Sequence, residues 1–236
     1  MLVNRRSCVV WLGVVIASGC ATTSPLVRQL CYNPDVQLAS VLRPLEDLRA
    51  KGCEVSVAAR GVSNCDALRQ ELDRLVVVCP THAPTLMAGA VFAYDERQPI
   101  KSQQMLDQIL AQPGRFPDAA VLRARIAIEE GNVPFARRLL ERQIRLVPDH
   151  AELHETYGAT LYVEGRLPEA ERELATAEAL GAPRWRIAYH LGLVEEASGR
   201  RDDARRHYAE AVAGNPGWAP AQSRLNGLRA DAATRP

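Results

Sequence analysis

Downstream of about residue 118, apolar residues return every three or four positions, the spacing of a helix with one buried face. The runs fall at 118–130, 134–147, 151–164, 167–180, 185–198 and 201–213, and each predicts an amphipathic helix. Gly131, Gly165 and Gly199 stand between the members of successive pairs. A glycine there permits the positive φ at which a helix stops. A further run, 64–78, is closed by Pro80, whereas Gly52, the Val-rich stretch 55–57 and Gly61 argue against a regular partner helix immediately before it. After Pro216 a more polar helix is expected over 219–229, followed by a frayed tail, 230–236.

The glycine turns are 34 residues apart, and other classes of position keep the same phase. Ala136, Ala170 and Ala204 do so, as do Leu140, Leu174 and Tyr208. Three helix pairs therefore occupy 117–150, 151–184 and 185–218. One period earlier, Leu86, Ala90, Ala93, Ser102, Leu106, Ile109 and Gly114 are in phase, which makes 83–116 a degenerate copy with a longer turn at 95–99 that lacks glycine. Gly158 and Gly192 leave room for paired helices to approach closely. A helix pair of this length cannot bury its apolar stripe alone, so adjacent copies must stack.

Composition sharpens this picture. Hydrophobic residues make up 47% of the 236-residue chain and aromatics only 5%, so the core is built from Ala, Leu and Val, which favours packed helices over a sandwich or barrel. With 29 basic and 28 acidic side chains there is no electrostatic footprint for nucleic acid. No CxxC pair, GxSxG elbow or phosphate-cradling loop occurs. His150 and His154 flank Glu152 without the HExxH order, so no metal site, catalytic site or cofactor is expected. The mixed-sign runs Arg137-Arg138, Arg200-Arg201-Asp202-Asp203 and Arg205-Arg206 read as solvated helix faces.

The amino terminus has the layout of a secretory signal: Arg5 and Arg6, then an apolar run over 8–17 that is too short to remain as a spanning helix. Ile16-Ala17-Ser18-Gly19-Cys20 resembles the bacterial lipoprotein signal, with Ala17 where that family usually carries Leu, Val or Ile. The resemblance implies a signal peptide over 1–19, lipid on Cys20 and a tether over 20–34. Cleavage removes Arg5 and Arg6 and leaves 27 basic against 28 acidic side chains, so the acyl chains, not charge, must hold the protein to a membrane. The same resemblance, with Ala21 in place of Asp after the cysteine, implies sorting to the outer membrane with the body facing the periplasm. In an exported chain the four remaining cysteines, Cys31, Cys53, Cys65 and Cys79, suggest a disulfide framework. Three connectivities are open; the nested pair Cys31–Cys79 and Cys53–Cys65 is preferred, with buried free thiols the alternative.

The 34-residue helix pairs resemble the tetratricopeptide repeat family. The third copy matches best, through Leu191-Gly192, Ala204, Tyr208, Ala211 and Pro216; the second keeps Tyr157-Gly158, Leu161, Ala170, Leu174 and Ala177. The first keeps Ala124, Ala127, Ala136, Leu140 and Pro148, but puts Arg123 and Gln143 where apolar or small residues are usual. The resemblance implies an all-α, helix-turn-helix solenoid over 83–229, preceded by a Cys-containing helical cap over 35–82. It also implies a concave groove lined by the fifth, ninth and twelfth places of each repeat. On this chain these are Met87, Val91 and Tyr94; Val121, Arg125 and Ile128; Glu155, Ala159 and Tyr162; and Tyr189, Leu193 and Glu196. Only Arg125 is cationic among them, which disfavours a carboxylate clamp and suits an apolar or amphipathic segment, as do the tyrosines. The expected function is a lipid-anchored adaptor that binds protein or peptide segments of a cell-envelope complex. The alternatives are an envelope enzyme or thiol factor, and a tether that binds through its cap or convex face.

Overall fold

The computed structural model describes residues 31–51 and 63–233. The regular elements there are all helices: α1 (Pro34–Lys51), α2 (Asn64–Val78), α3 (Ala83–Asp95), α4 (Pro99–Leu110), α5 (Pro117–Glu129), α6 (Val133–Leu146), α7 (Ala151–Val163), α8 (Leu167–Ala179), α9 (Arg184–Ala197), α10 (Arg201–Gly214) and α11 (Ala219–Ala233). Their starts are written into the sequence. Pro84, Pro99, Pro117, Pro134 and Pro168 stand in first turns, where a missing N–H costs nothing. At α2, Ser63 Oγ accepts from the Asp66 backbone N–H at 3.0 Å and caps the helix.

Apolar stripes are buried both within pairs and between neighbouring pairs. One cluster joins Leu86 and Ala90 of α3, Leu106 and Ile109 of α4, and Leu122 and Ile126 of α5. The next joins Ala120 and Ala124 of α5 to Leu140 of α6 and Leu153 of α7, and a third joins Leu161, Leu174 and Ala177 to Ile187 and Val194 of α9. At about 1.5–3 kcal/mol for each fully buried large aliphatic side chain, the copies hold one another folded.

The first helices of successive pairs, α5, α7 and α9, pack directly on one another, whereas the second helices α4, α6, α8 and α10 lie farther apart. The stack therefore curves, with the first helices on its inner face. No helix among the described residues is long and apolar enough to cross a membrane.

The structure departs from the sequence reading at three places. The turn at 95–99 has the same form as the others: Arg97 takes the left-handed position with φ 62°, and Gln98 N–H reaches Ala93 C=O at 2.8 Å, as Asn132 N–H reaches Ala127 C=O at 2.7 Å. Arg97 stands in phase with the turn glycines, so a side chain occupies a conformation that costs L-residues about 1–2 kcal/mol. Within the helical cap expected over 35–82, for whose first part no helix bounds were expected, α1 forms over Pro34–Lys51, upstream of the glycine-rich stretch. The last helix runs on to Ala233. Of the two odd residues of the first copy, Arg123 has partners for part of its guanidinium, whereas Gln143 Oε1 is buried with no hydrogen-bond partner. Arg123, 9% exposed, donates from Nε to Asp107 Oδ1 at 2.8 Å and lies 4.5 Å over the Phe135 ring, and Gln143 is buried.

The cap is held by the Cys31–Cys79 disulfide, with Cα atoms 5.2 Å apart, and by Leu38 and Val41 of α1 packed on Leu72 and Leu75 of α2. Cys65 is also disulfide-bonded. Cys20, Cys53, the signal segment 1–19 and residues 234–236 lie outside the described residues.

Candidate functional site

The inner face carries a shallow depression of about 260 Å³ between α5, α7 and α9. Arg125, Ile128 and Glu129 form one wall, Glu155, Thr156 and Ala159 the next, and His190 closes the far side. Glu129 also borders a second depression of about 380 Å³, with Tyr94, Asp95, Arg97 and Pro99. The two share that residue and form one run along the inner wall from α3 to α9.

Charge in this run is ordered. Glu155 is 3% exposed, and Arg186 Nε donates to its two oxygens at 2.9 and 3.1 Å. Arg186 Nη2 also donates to Glu152 at 2.9 Å, and His190 Nε2 lies 3.5 Å from Glu155. Burial works against the charged form of Glu155, but hydrogen bonds from His190 and Arg186 and the guanidinium charge outweigh it and hold the carboxyl at about 2. The Tyr94 hydroxyl donates to Glu129; its burial and that bond raise it to about 12, so it stays protonated. Three polar groups in this run are without a partner among the described residues, one of them Arg97 of the second depression, which makes no ion pair. Thr156 Oγ1 is buried with no hydrogen-bond partner, and Arg125 makes no ion pair among the described residues.

The low Glu155 value has a direct consequence for stability. A carboxyl at about 2 when folded and 4.5 ordinarily stabilises the fold above that ordinary value and loses the contribution as pH falls toward 2. Glu155→Gln leaves Arg186 without its buried counter-charge and lowers stability at neutral pH by about 2–3 kcal/mol. The loss shrinks between pH 4 and 2, which urea unfolding at both ends measures, on the order of one carboxyl titration.

The sequence-predicted stripe is only partly assembled into the run. Arg125, Ile128, Glu155 and Ala159 line the first depression, and Tyr94 the second. Val91 is 37% exposed on α3, while Met87 and Tyr162 are half-buried against the first and third clusters. Val121, 3% exposed, belongs to the core between α5, α6 and α7 and does not face the groove. Tyr189 and Leu193 pack beside Tyr208 and the α11 residues Leu225 and Leu228, and the Tyr189 ring lies 4.5 Å from Trp218. Glu196 accepts from Tyr208 Oη at 2.7 Å and lies 3.5 Å from Arg224 Nη1. The following helix α11 packs on the last copy and covers its apolar surface there. Sequence reasoning missed Arg97, Glu129, Thr156 and His190. Thr156 and His190 are 34 residues apart, so the sixth place of the repeat was the available signal.

The histidines weighed as a metal pair are occupied otherwise. His154 Nδ1 lies 2.7 Å from Glu173 and Nε2 2.9 Å from Pro148 C=O, while His150 Nε2 lies 3.1 Å from Asp118. Among the described residues no group of His, Cys, Asp or Glu is placed to hold a metal ion.

Helix pairs stacked at a 34-residue period with an inner groove define a helical-repeat solenoid. Its fold is that of the tetratricopeptide repeat proteins, as solved structures bear out. The tetratricopeptide repeat protein TTC0263 of Thermus thermophilus superposes with a TM-score of 0.64 at 20% identity, covering 81% of this chain and 98% of that one. Cut9, in the APC/C hetero-tetramer Cut9–Hcn1, gives 0.63 at 12% identity over 70% of this chain, which spans 33% of the Cut9-complex chain. YrrB, described as a tetratricopeptide repeat protein with an unusual peptide-binding site, gives 0.52 at 16% identity over 79% of this chain and 86% of that one. No family model and no curated protein sequence matches the chain.

Proposed function

We propose that this protein is an adaptor that receives a segment of another protein along the inner wall of α3, α5 and α7. The observation that carries the reading is the depression lined by Arg125, Ile128, Glu155 and Ala159, with the Thr156 hydroxyl and the Arg125 guanidinium left unpartnered beside it. An apolar floor with a few fixed polar groups suits an amphipathic segment: its side chains fill the floor and its backbone or carboxylates meet Thr156 and Arg125. YrrB, of the same fold, has a peptide-binding site, and Cut9 is crystallised in a hetero-tetramer, which supports a protein ligand.

The lipoprotein-like segment ending in Cys20 supports an anchored form. In this reading the adaptor is held by lipid to the outer membrane, faces the periplasm and helps to assemble or stabilise an envelope complex. Oxidised cysteines in the cap support an exported location. The test has two arms in cells producing the full chain. Labelled palmitate enters the wild-type protein and not Cys20→Ser. Partner proteins co-purified with the wild type are reduced at least about tenfold by Arg125→Glu, whose reversed charge faces the ligand at unchanged thermal stability. Undiminished recovery with Arg125→Glu overturns the groove reading, and absence of label from the wild type overturns the anchor.

A further inference from the structure

The outer face carries a second feature, between the second helices α4 and α6. A groove of about 590 Å³ has Leu110, Ala111, Phe135 and Leu139 among its lining residues, and Arg138, Arg142 and Arg145 along its α6 edge. These arginines stand at i, i+4 and i+7 on one helix face, so they span about 10 Å along the axis. All three are exposed, and none makes an ion pair among the described residues.

The acids that line the groove do not balance them. Asp107 is taken by Arg123 Nε at 2.8 Å. Glu141 is taken by Arg137 Nη1 at 2.9 Å and by the Tyr157 hydroxyl at 3.0 Å. Three guanidinium groups are therefore left in excess around an apolar floor, in a chain whose net charge is +1. Several arginines elsewhere are matched: Arg166 with Glu169, Arg184 with Glu210, Arg200 with Glu195.

We propose that this outer groove docks an acidic amphipathic helix of a partner protein, separate from the segment received on the inner face. Guanidinium groups spaced by one and then two helical turns match carboxylates at the same spacing on a docked helix, and each pair has the fork geometry that arginine offers a carboxylate. The apolar floor between α4 and α6 receives that helix's apolar stripe. Concavity favours a helix over a membrane: a flat anionic bilayer needs protruding apolar residues, and Leu139 at the groove floor is 5% exposed.

The experiment titrates the full chain against three probes and reads fluorescence anisotropy or co-sedimentation. The first is a labelled peptide of about five helical turns with a leucine stripe flanked by glutamates at every third or fourth position. The second is the same peptide with lysine for glutamate, and the third is phosphatidylglycerol vesicles. The acidic peptide binds, the lysine peptide does not, and the affinity falls as salt rises. Arg138→Glu/Arg142→Glu/Arg145→Glu weakens acidic-peptide binding at least about tenfold, whereas Arg172→Glu on α8 leaves it unchanged. The triple Gln variant gives a smaller loss in the same direction and serves if charge reversal disturbs folding. Equal binding by wild type and both triple variants overturns the proposal, as does failure of the acidic peptide to bind. Binding of vesicles through these arginines in place of the peptide also overturns it and assigns the face to a membrane.

Discussion

Gly192→Leu lowers the unfolding free energy by about 3 kcal/mol or more, because the helix pair α9–α10 has no space for a side chain there. A Cβ at Gly192 meets Tyr208 Cδ1 and Cε1 at 2.6 Å. The ring cannot step aside, since Tyr208 is fully buried and its hydroxyl is tied to Glu196 at 2.7 Å. Even alanine is expected to be unfavourable: it gains about 1 kcal/mol of helix propensity over glycine, against about 1–3 kcal/mol for overpacking. The sign depends on the ring. In a Tyr208→Ala background, which alone costs about 3–5 kcal/mol, Gly192→Ala becomes neutral or stabilising. Urea unfolding of the four proteins closes this cycle, and a cost for Gly192→Ala that persists without the ring contradicts the close approach.

Removing the Cys31–Cys79 disulfide has an effect of similar size but in a different place. Cys31 and Cys79 are 48 residues apart, and opening a loop of that length in the unfolded chain costs about 4 kcal/mol in the chain-entropy account. Beyond the disulfide, α1 packs on α2 and α3, and its apolar contribution rests on Leu38, Val41 and Leu45. In a stack where each unit touches its neighbours, the loss is local. Cys31→Ala/Cys79→Ala therefore exposes amides of α1 and α2 to hydrogen exchange at low denaturant while α5 to α10 keep their protection. Uniform loss of protection throughout the chain contradicts that division.

The phase of 34 carries most of what was legible. It places glycine or alanine at 124, 158 and 192 opposite the large residues Leu140, Leu174 and Tyr208, and a Cβ at Gly158 meets Leu174 Cγ at 2.9 Å as one at Gly192 meets Tyr208. The turn at Arg97 was misread because a glycine was the expected mark of a left-handed residue, and here the turn's hydrogen bonds hold an arginine in that conformation. The cap was legible as helical, but the bounds of α1 were not, because it is out of phase with the repeats and carries Pro44 in its interior. Within the groove, an i, i+4, i+7 stripe gives the face of a helix but not what covers it. Val121 is consequently core, and Tyr189, Leu193 and Glu196 meet α11 and its neighbours. The outer arginines were legible as exposed, whereas the capture of Asp107 and Glu141 by other residues is a fact of three-dimensional packing.

In the proposed function the inner wall of the stack, and not the outer face of α8, receives the partner segment. A photoreactive residue at Ala159, on the groove wall, tests it in intact cells against one at Thr176, exposed on α8. The account predicts a discrete crosslinked partner from position 159 that is lost with Arg125→Glu, and no such product from position 176. The same product from position 176, or none from 159 while the partner still co-purifies, contradicts it.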